Sequence, residues 1–488
     1  MLIKMHKNRF VRLMNTFSDY DMKQFERFIH SPYHNRSQQC VDVFNSLKYY
    51  LFEVPGINFT KAELCVSVFK DTKKINTLEV ILSKLTKLAE GFIAIERLNR
   101  QPYMKQHLLL EELLERQNLE YCGGVIKQVT NQHKKIQKRG EEFYFEKYLI
   151  ANDTYKYTFL NSKKSSWDDL NKRIQTLDEF YLIERLQLLC DAENYKSLYL
   201  TEYGKYETNI LTPLLELDNR KENPMIILWR TILLTIRDEQ ELYFNQLLNL
   251  IDKYYLNIPK NELLSIYTTI TNFCVRKVIS GYTEYSQTLF TIYKKQAEQG
   301  VLSHGRYIPA QLIKNIVSLS ATIGEFQWAE DFLESHINDV KPDINESVYY
   351  YNKAILAFYQ KDFKTAMEHL NQTEKIDLSF ELGRKTVLLR TYYELKEGLA
   401  FDALCKSFRE YVHSQNGMPT RLKKAYVNFT TVIRKIERIR QQGEHGKILP
   451  LIEKINNYEF LTNKPWLIEK LKELPAYKRA LAEETVDD

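Results

Sequence analysis

The sequence predicts an all-α protein of stacked antiparallel helix pairs, and three observations lead there. Apolar residues recur at steps of three and four in segment after segment, which marks one buried face of a helix. Glycine and proline are scarce, 15 and 12 among 488 residues, whereas sheets and long loops consume both in their turns. An alanine-centred pattern also returns at a fixed interval in the C-terminal half. The chain is too long for one compact core, but a stack in which each pair packs only on its neighbours escapes that limit. Hydrophobic residues at 44% against 27% charged suit a folded chain rather than a disordered one.

From the N-terminus, Ser18 with Asp21 predicts a capped helix whose face is Met22, Phe25 and Ile29, closed at Ser31 and Pro32. Val43, Phe44, Leu47 and Leu51 predict a second helix. Thr60 and Glu63 make a full capping box for a third, through Leu64 and Val68. Leu78, Leu82, Leu85, Leu88, Phe92 and Ile95 then predict one long helix. A DNA-reading winged helix over residues 82–98 would need a break at Gly91, and the unbroken periodicity argues against it. Pro102 opens another helix, Gly123 and Gly124 are expected to break it, and a long basic helix is expected from Val125. The polar NSKKSS segment, 161–166, is expected to be a loop and the main internal boundary. Pro224, Pro259 and Pro309 each stand at the start of an apolar-periodic segment, where a missing N–H costs little. A long helix is expected over 419–442, shorter ones around Leu449 and Trp466, and a disordered acidic tail over 482–488. The expected organisation is an N-terminal helical region (1–160), an irregular array of helix hairpins (161–300), repeats (301–415) and capping helices with the tail (416–488).

The repeats carry the one motif with a fixed period. GEFQWAEDFL from Gly324 and KDFKTAMEHL from Lys361 each place an aromatic (Phe326, Phe363) three residues before an alanine (Ala329, Ala366). A leucine (Leu333, Leu370) follows four beyond. GLAFDALCKSF from Gly398 puts Ala403 at the same interval of 37, without the aromatic in register and with Ser407 in the leucine's place. A small residue there lets the second helix lie close on the first, and Gly324, Lys361 and Gly398 supply the turns. With Ala354 as the early small residue of the middle repeat, residues 308–414 resemble tetratricopeptide (TPR) repeats, at a period slightly longer than the family's 34 or so.

That resemblance implies a right-handed α-solenoid and a non-catalytic scaffold or adaptor that binds a protein or peptide, without a cofactor. In TPR-like pairs, positions counted back from the alanines face the concave wall. Here they are Lys314 and Ser318, then Tyr351, Ile355, Phe358 and Tyr359, then Lys385, Leu388 and Tyr392. Aromatics flanked by lysines suit a peptide with an apolar anchor and acidic groups; packing between helices is the plainer role for the same rings. Separately, FERFIHSPYHN with the 78–95 helix resembles a group of uncharacterised all-helical bacterial proteins, which brings no function with it.

No HExxH, GxSxG, P-loop or GxGxxG motif occurs, so no enzyme, catalytic residue, cofactor site or metal site is expected. His30 and His34 are four apart, but Pro32 breaks the helical geometry a metal pair would need. Six scattered cysteines without a CxxC pair are expected to be buried, reduced thiols. The segment KQVTNQHKKIQKR, 127–139, is rich in Lys and Arg and holds no acid. On the 419–442 helix Leu422, Tyr426, Phe429, Ile433 and Ile436 share a face. Arg421, Lys424, Lys435 and Arg438 line another, with Asn428 and Thr431 between them. A solvated face is the plainer reading; contact with phosphate or an acidic partner is the alternative. The net charge of +6 is mild, which makes a nucleic-acid-associated factor the second choice behind a protein partner. The apolar run from Met225 is broken by Arg230, so no membrane insertion is expected. The basic start of the sequence lacks a signal-length apolar run, and a cytoplasmic location is expected.

Overall fold

The structure, a computed structural model, describes residues 8–49, 59–161, 167–199, 223–238, 240–279, 281–303, 305–475 and 477. It is all-α: the described residues form 22 helices and no strand. Two compact units are present, one of Met1–Asp191 with Gly204–Arg230 and the other of Ala192–Tyr203 with Thr231–Asp488.

In the first unit α1 (Arg9–Met14), α2 (Asp19–His30), α3 (Gln38–Lys48) and α4 (Lys61–Phe69) all pack on α5 (Ile75–Asn99). Both capping boxes form. The Ser18 hydroxyl accepts from the Asp21 N–H at 3.1 Å, and the Asp21 carboxylate accepts from the Ser18 N–H at 3.0 Å; Glu63 accepts likewise from the Thr60 N–H at 2.7 Å. α5 is continuous through Gly91 and buries Leu78, Leu82, Leu85 and Phe92, while Ile95 at its end is 39% exposed. Phe25 is the hub of this core: the rings of Phe10, Phe17, Phe28, Phe44 and Phe92 all lie 5.4–6.4 Å from it.

Next come α6 (Pro102–Glu115), α7 (Leu119–His133) and α8 (Glu141–Asn161), packed each on the other two. The expected break at Gly123 and Gly124 is not there. It falls at Gln117, whose φ is 57°, where the Asn118 N–H reaches back to the Leu113 carbonyl at 3.0 Å and closes α6 with a left-handed cap. Gly123 serves packing instead: a Cβ on it would stand 2.7 Å from the Tyr157 hydroxyl of α8. The basic helix is also shorter than expected. It ends at His133, which is buried, stacks on Phe143 at 4.2 Å and lies 3.1 Å from the Phe143 carbonyl. The cations from Lys134 to Arg139 therefore sit in a connection. α9 (Trp167–Tyr199) and α10 (Pro224–Asp238) follow; the expected loop at 162–166 and the acidic tail lie outside the described residues.

The second unit continues with α11 (Glu241–Tyr254), α12 (Lys260–Ile279), α13 (Tyr285–Glu298), α14 (Ala310–Thr322), α15 (Phe326–His336) and α16 (Asn345–Tyr359). It ends with α17 (Phe363–Gln372), α18 (Leu378–Leu395), α19 (Gly398–Ser414), α20 (Thr420–Gln442), α21 (Ile448–Asn456) and α22 (Lys464–Glu473). From α12 to α20 each helix packs on the next, and α14 also packs on α16, α16 on α18, and α20 on α22.

Three turns repeat one geometry. Gly324, Lys361 and Lys396 are left-handed (φ 87°, 67° and 60°). The residue after each donates its N–H five residues back: Glu325 to Ser320, Asp362 to Ala357 and Glu397 to Tyr392, at 2.9–3.0 Å. Each helix that follows buries its first-turn residue, Ala329, Ala366 and Phe401. These positions are 37 and then 35 residues apart. The third repeat is thus two residues out of the expected register. Gly398 opens α19 rather than the turn, and Ala403 is exposed because Phe401, Cys405, Phe408 and Val412 form the buried stripe.

Candidate functional site

The first helices α14, α16 and α18 do bring candidate residues together, as an internal seam. Lys314 on α14 donates from Nζ to the Ser379 carbonyl (3.1 Å) and hydroxyl (3.2 Å) at the start of α18. Its ammonium lies 5.5 Å from the Tyr351 ring and 4.9 Å from the Phe380 ring, within cation–π range. Burial pushes Lys314 down to about 8, opposed by the Asp377 carboxylate. Tyr351 is 2% exposed and meets Phe380 edge to face. Its hydroxyl enters α18 at Gly383, where a Cβ would collide with it and stand 3.3 Å from Lys314 Nζ.

One and two turns further along the seam, Ile355, Phe358 and Leu388 are also buried. Tyr351 and Phe358 are therefore core rings and are not presented to a peptide, because the helices that were to expose them close over them. Phe358 instead carries Arg390, whose guanidinium lies 4.2 Å from its ring centre, 5.6 Å from that of Tyr359 and 4.9 Å from that of Trp466. Arg390 is 4% exposed; its Nη1 donates to Asn463 Oδ1 at 3.2 Å, and its Nε has no hydrogen-bond partner. Sequence reasoning missed this residue, although an arginine inside TVLLRTYYEL was a signal for a buried cation. Lys385 pairs with Glu381 at 3.2 Å and lies 5.2 Å from the Tyr411 ring. Ser318, Tyr359 and Tyr392 are half-buried.

The basic face of α20 differs. Lys424, Lys435 and Arg438 are exposed, and none has a carboxylate within ion-pair distance among the described residues. Arg421 is half-buried, and Leu422 beside it is 38% exposed. From Arg421 to Arg438 the row spans about 25 Å at the helical rise. Between the cations, Asn428 is turned to the fold and donates to the Phe460 carbonyl at 2.8 Å, while Thr431 donates to the Val427 carbonyl of its own helix at 2.8 Å. Phe429, Ile433 and Ile436 are buried, which fixes which side of α20 faces outward.

A second polar cluster, unforeseen in the sequence, joins α6 to α8. His107 Nδ1 lies 2.7 Å from Asp153 Oδ2, and its Nε2 is 3.8 Å from Glu111. Glu111 is also 3.3 Å from Lys156. With a carboxylate on either side, the ring clamps the two helices. Burial pushes the Asp153 carboxyl up, and His107 opposes that shift. His30 spends Nδ1 on the Glu26 carbonyl at 2.8 Å, and His34 stacks on Phe28 at 3.9 Å. Among the described residues no group of three His, Cys, Asp or Glu is placed to hold a metal ion, and no helix is long and apolar enough to cross a membrane. All six cysteines are buried and free. In comparisons with protein-family models, curated proteins and solved structures, no match to this chain is found.

Proposed function

We propose that this protein is a non-catalytic scaffold, an α-solenoid of TPR-like helix pairs that holds an acidic segment of a partner protein. The observation that carries the reading is the row of uncompensated cations on α20, Lys424, Lys435 and Arg438, beside the exposed Leu422. The repeated turns at Gly324, Lys361 and Lys396, with packing between neighbouring helices, support a stack built by addition of pairs. A surface preformed on such a stack loses little freedom on binding, and exposed charges steer an oppositely charged partner into place. The half-buried Tyr359, Tyr392 and Lys385 supply a second contact patch. The same row would also follow a phosphate backbone, so a nucleic-acid-associated factor is the alternative reading.

Affinity capture from native cells, with mass spectrometry of what is retained, tests this with the full chain and its K424E/K435E/R438E variant. A protein held by the parent and lost by the folded variant is the expected result, with binding weakened between about 50 and 200 mM salt. Equal capture by both places the interface elsewhere. Capture that disappears on nuclease treatment favours nucleic acid.

A further inference from the structure

The first unit holds a different basic feature, where the connection from α7 to α8 passes α9. A cavity of ≈ 400 Å³ near α4 is lined by both Glu79 and Glu90, but the ≈ 300 Å³ cavity here is lined by no acid at all. Lys134, Arg139, Lys147 and Lys172 surround it, over a floor that includes Phe143 and Ile150. Only Lys147 is neutralised, by Glu179 at 2.5 Å. Lys134, Arg139 and Lys172 are exposed and have no carboxylate within ion-pair distance among the described residues. The walls are fixed: the Tyr144 hydroxyl donates to Asn223 Oδ1 at 2.7 Å, and Arg139 lies over the Phe143 ring at 5.5 Å. Buried His133, at the edge, is held below its usual range chiefly by burial, against its hydrogen bond with the Phe143 carbonyl, and Glu146 lies 3.8 Å from its Nε2 behind the cavity wall.

Three cations gathered round one hollow repel each other, and an anion that bridges them removes that cost. Phosphate is an anion whose oxygens several Lys and Arg side chains can share, and each linked phosphate adds at least about one negative charge at neutral pH. The volume falls at the small end of the range for small-molecule pockets, about 300–1,000 Å³. A polynucleotide strand would instead require an open groove that tracks its backbone. We propose that this cavity binds a small molecule carrying two or more linked phosphates, held by Lys134, Arg139 and Lys172, with the attached group on the apolar floor.

Titration calorimetry of the full chain with inorganic tripolyphosphate, ATP and a short single-stranded oligonucleotide tests it. The K134E/K172E variant alters exposed positions only, and K424E/K435E makes the same change of charge on α20; circular dichroism checks that both are folded. Tripolyphosphate or ATP should bind at one site, weakened at least about tenfold in K134E/K172E and within about twofold of the parent in K424E/K435E. ATP binding tighter than tripolyphosphate supports the whole proposal, and equal binding supports the phosphate site but overturns the part given to the apolar floor. The proposal is overturned if neither compound binds up to about 1 mM, if both variants weaken binding equally, or if the oligonucleotide outcompetes both.

Discussion

Gly383 sets how closely α16 and α18 approach, because the Tyr351 hydroxyl occupies the space of its missing Cβ. Alanine there would ordinarily strengthen a helix by roughly 0.5–1 kcal/mol. Overpacking acts the other way, at about 1–3 kcal/mol, so Gly383→Ala should lower stability in urea unfolding. Adding Tyr351→Phe removes the colliding oxygen and should restore part of the loss; no recovery would mean that the hydroxyl does not limit the spacing. Lys314 in the same seam gives a pH test. Burial lowers its folded pKa from 10.5 to about 8. Below pH 8 both folded and unfolded states carry the proton, and the full penalty of burying charge is present. Between 8 and 10.5 the unfolded chain binds more protons, so stability relative to a Lys314→Met variant rises with pH. A stability gap that stays constant from pH 7.5 to 10 would contradict the shift. The sequence placed Lys314 and Tyr351 on first helices that the structure brings together, but did not show their burial, and Lys385 lies apart from them beside Glu381 and Tyr411. Tyrosine and lysine are amphipathic, so the same spacing fits a binding wall and a packed seam.

At the scale of single helices, glycine tells the same story of local signal against packing. A Cβ on Gly91 in α5 or Gly124 in α7 would meet nothing beyond its own stretch of helix within 4 Å among the described residues, whereas one on Gly123 would meet Tyr157 at 2.7 Å. Gly91→Ala and Gly124→Ala should each raise stability by roughly 0.5–1 kcal/mol, and Gly123→Ala should lower it. Thermal unfolding of the three variants separates them; a loss from Gly124→Ala would show that α7 is not helical there. Elements whose signals are local were legible in the sequence: the caps at Ser18 and Thr60, the unbroken α5 and the buried stripe of α20. The break at Gln117 was not, because a left-handed cap on a residue other than glycine leaves no compositional mark. The third repeat failed for a related reason. Gly398 stands as a decoy two residues after the true turn at Lys396, and the chance alignment of Ala403 masked a shift that only the buried stripe of Phe401, Cys405 and Phe408 reveals.

For the molecule as a whole, the two compact units have separate cores: the phenylalanine cluster around Phe25 in one, and in the other the hairpin interiors, where Ala366 and Leu370 are fully buried. The sequence showed the helices of both but not the division, since α9 and α10 run across it without a break in helical pattern to mark it. Separate cores make a claim about energetics that does not depend on any ligand. Phe25→Ala deletes the ring at the hub of its cluster and should cost about 3–5 kcal/mol, and Leu370→Ala about 2–5 kcal/mol. In native-state hydrogen exchange each should speed exchange chiefly within its own unit. For Phe25→Ala that means amides of α2, α3 and α5, with α16 to α18 keeping their protection; for Leu370→Ala the pattern reverses, and in the proposed array it spreads to the helices packed on α17 before more distant ones. If either substitution lowers protection equally in α5 and α17, the units unfold as one cooperative body, and the proposed scaffold is not one whose pairs add their stabilities in turn.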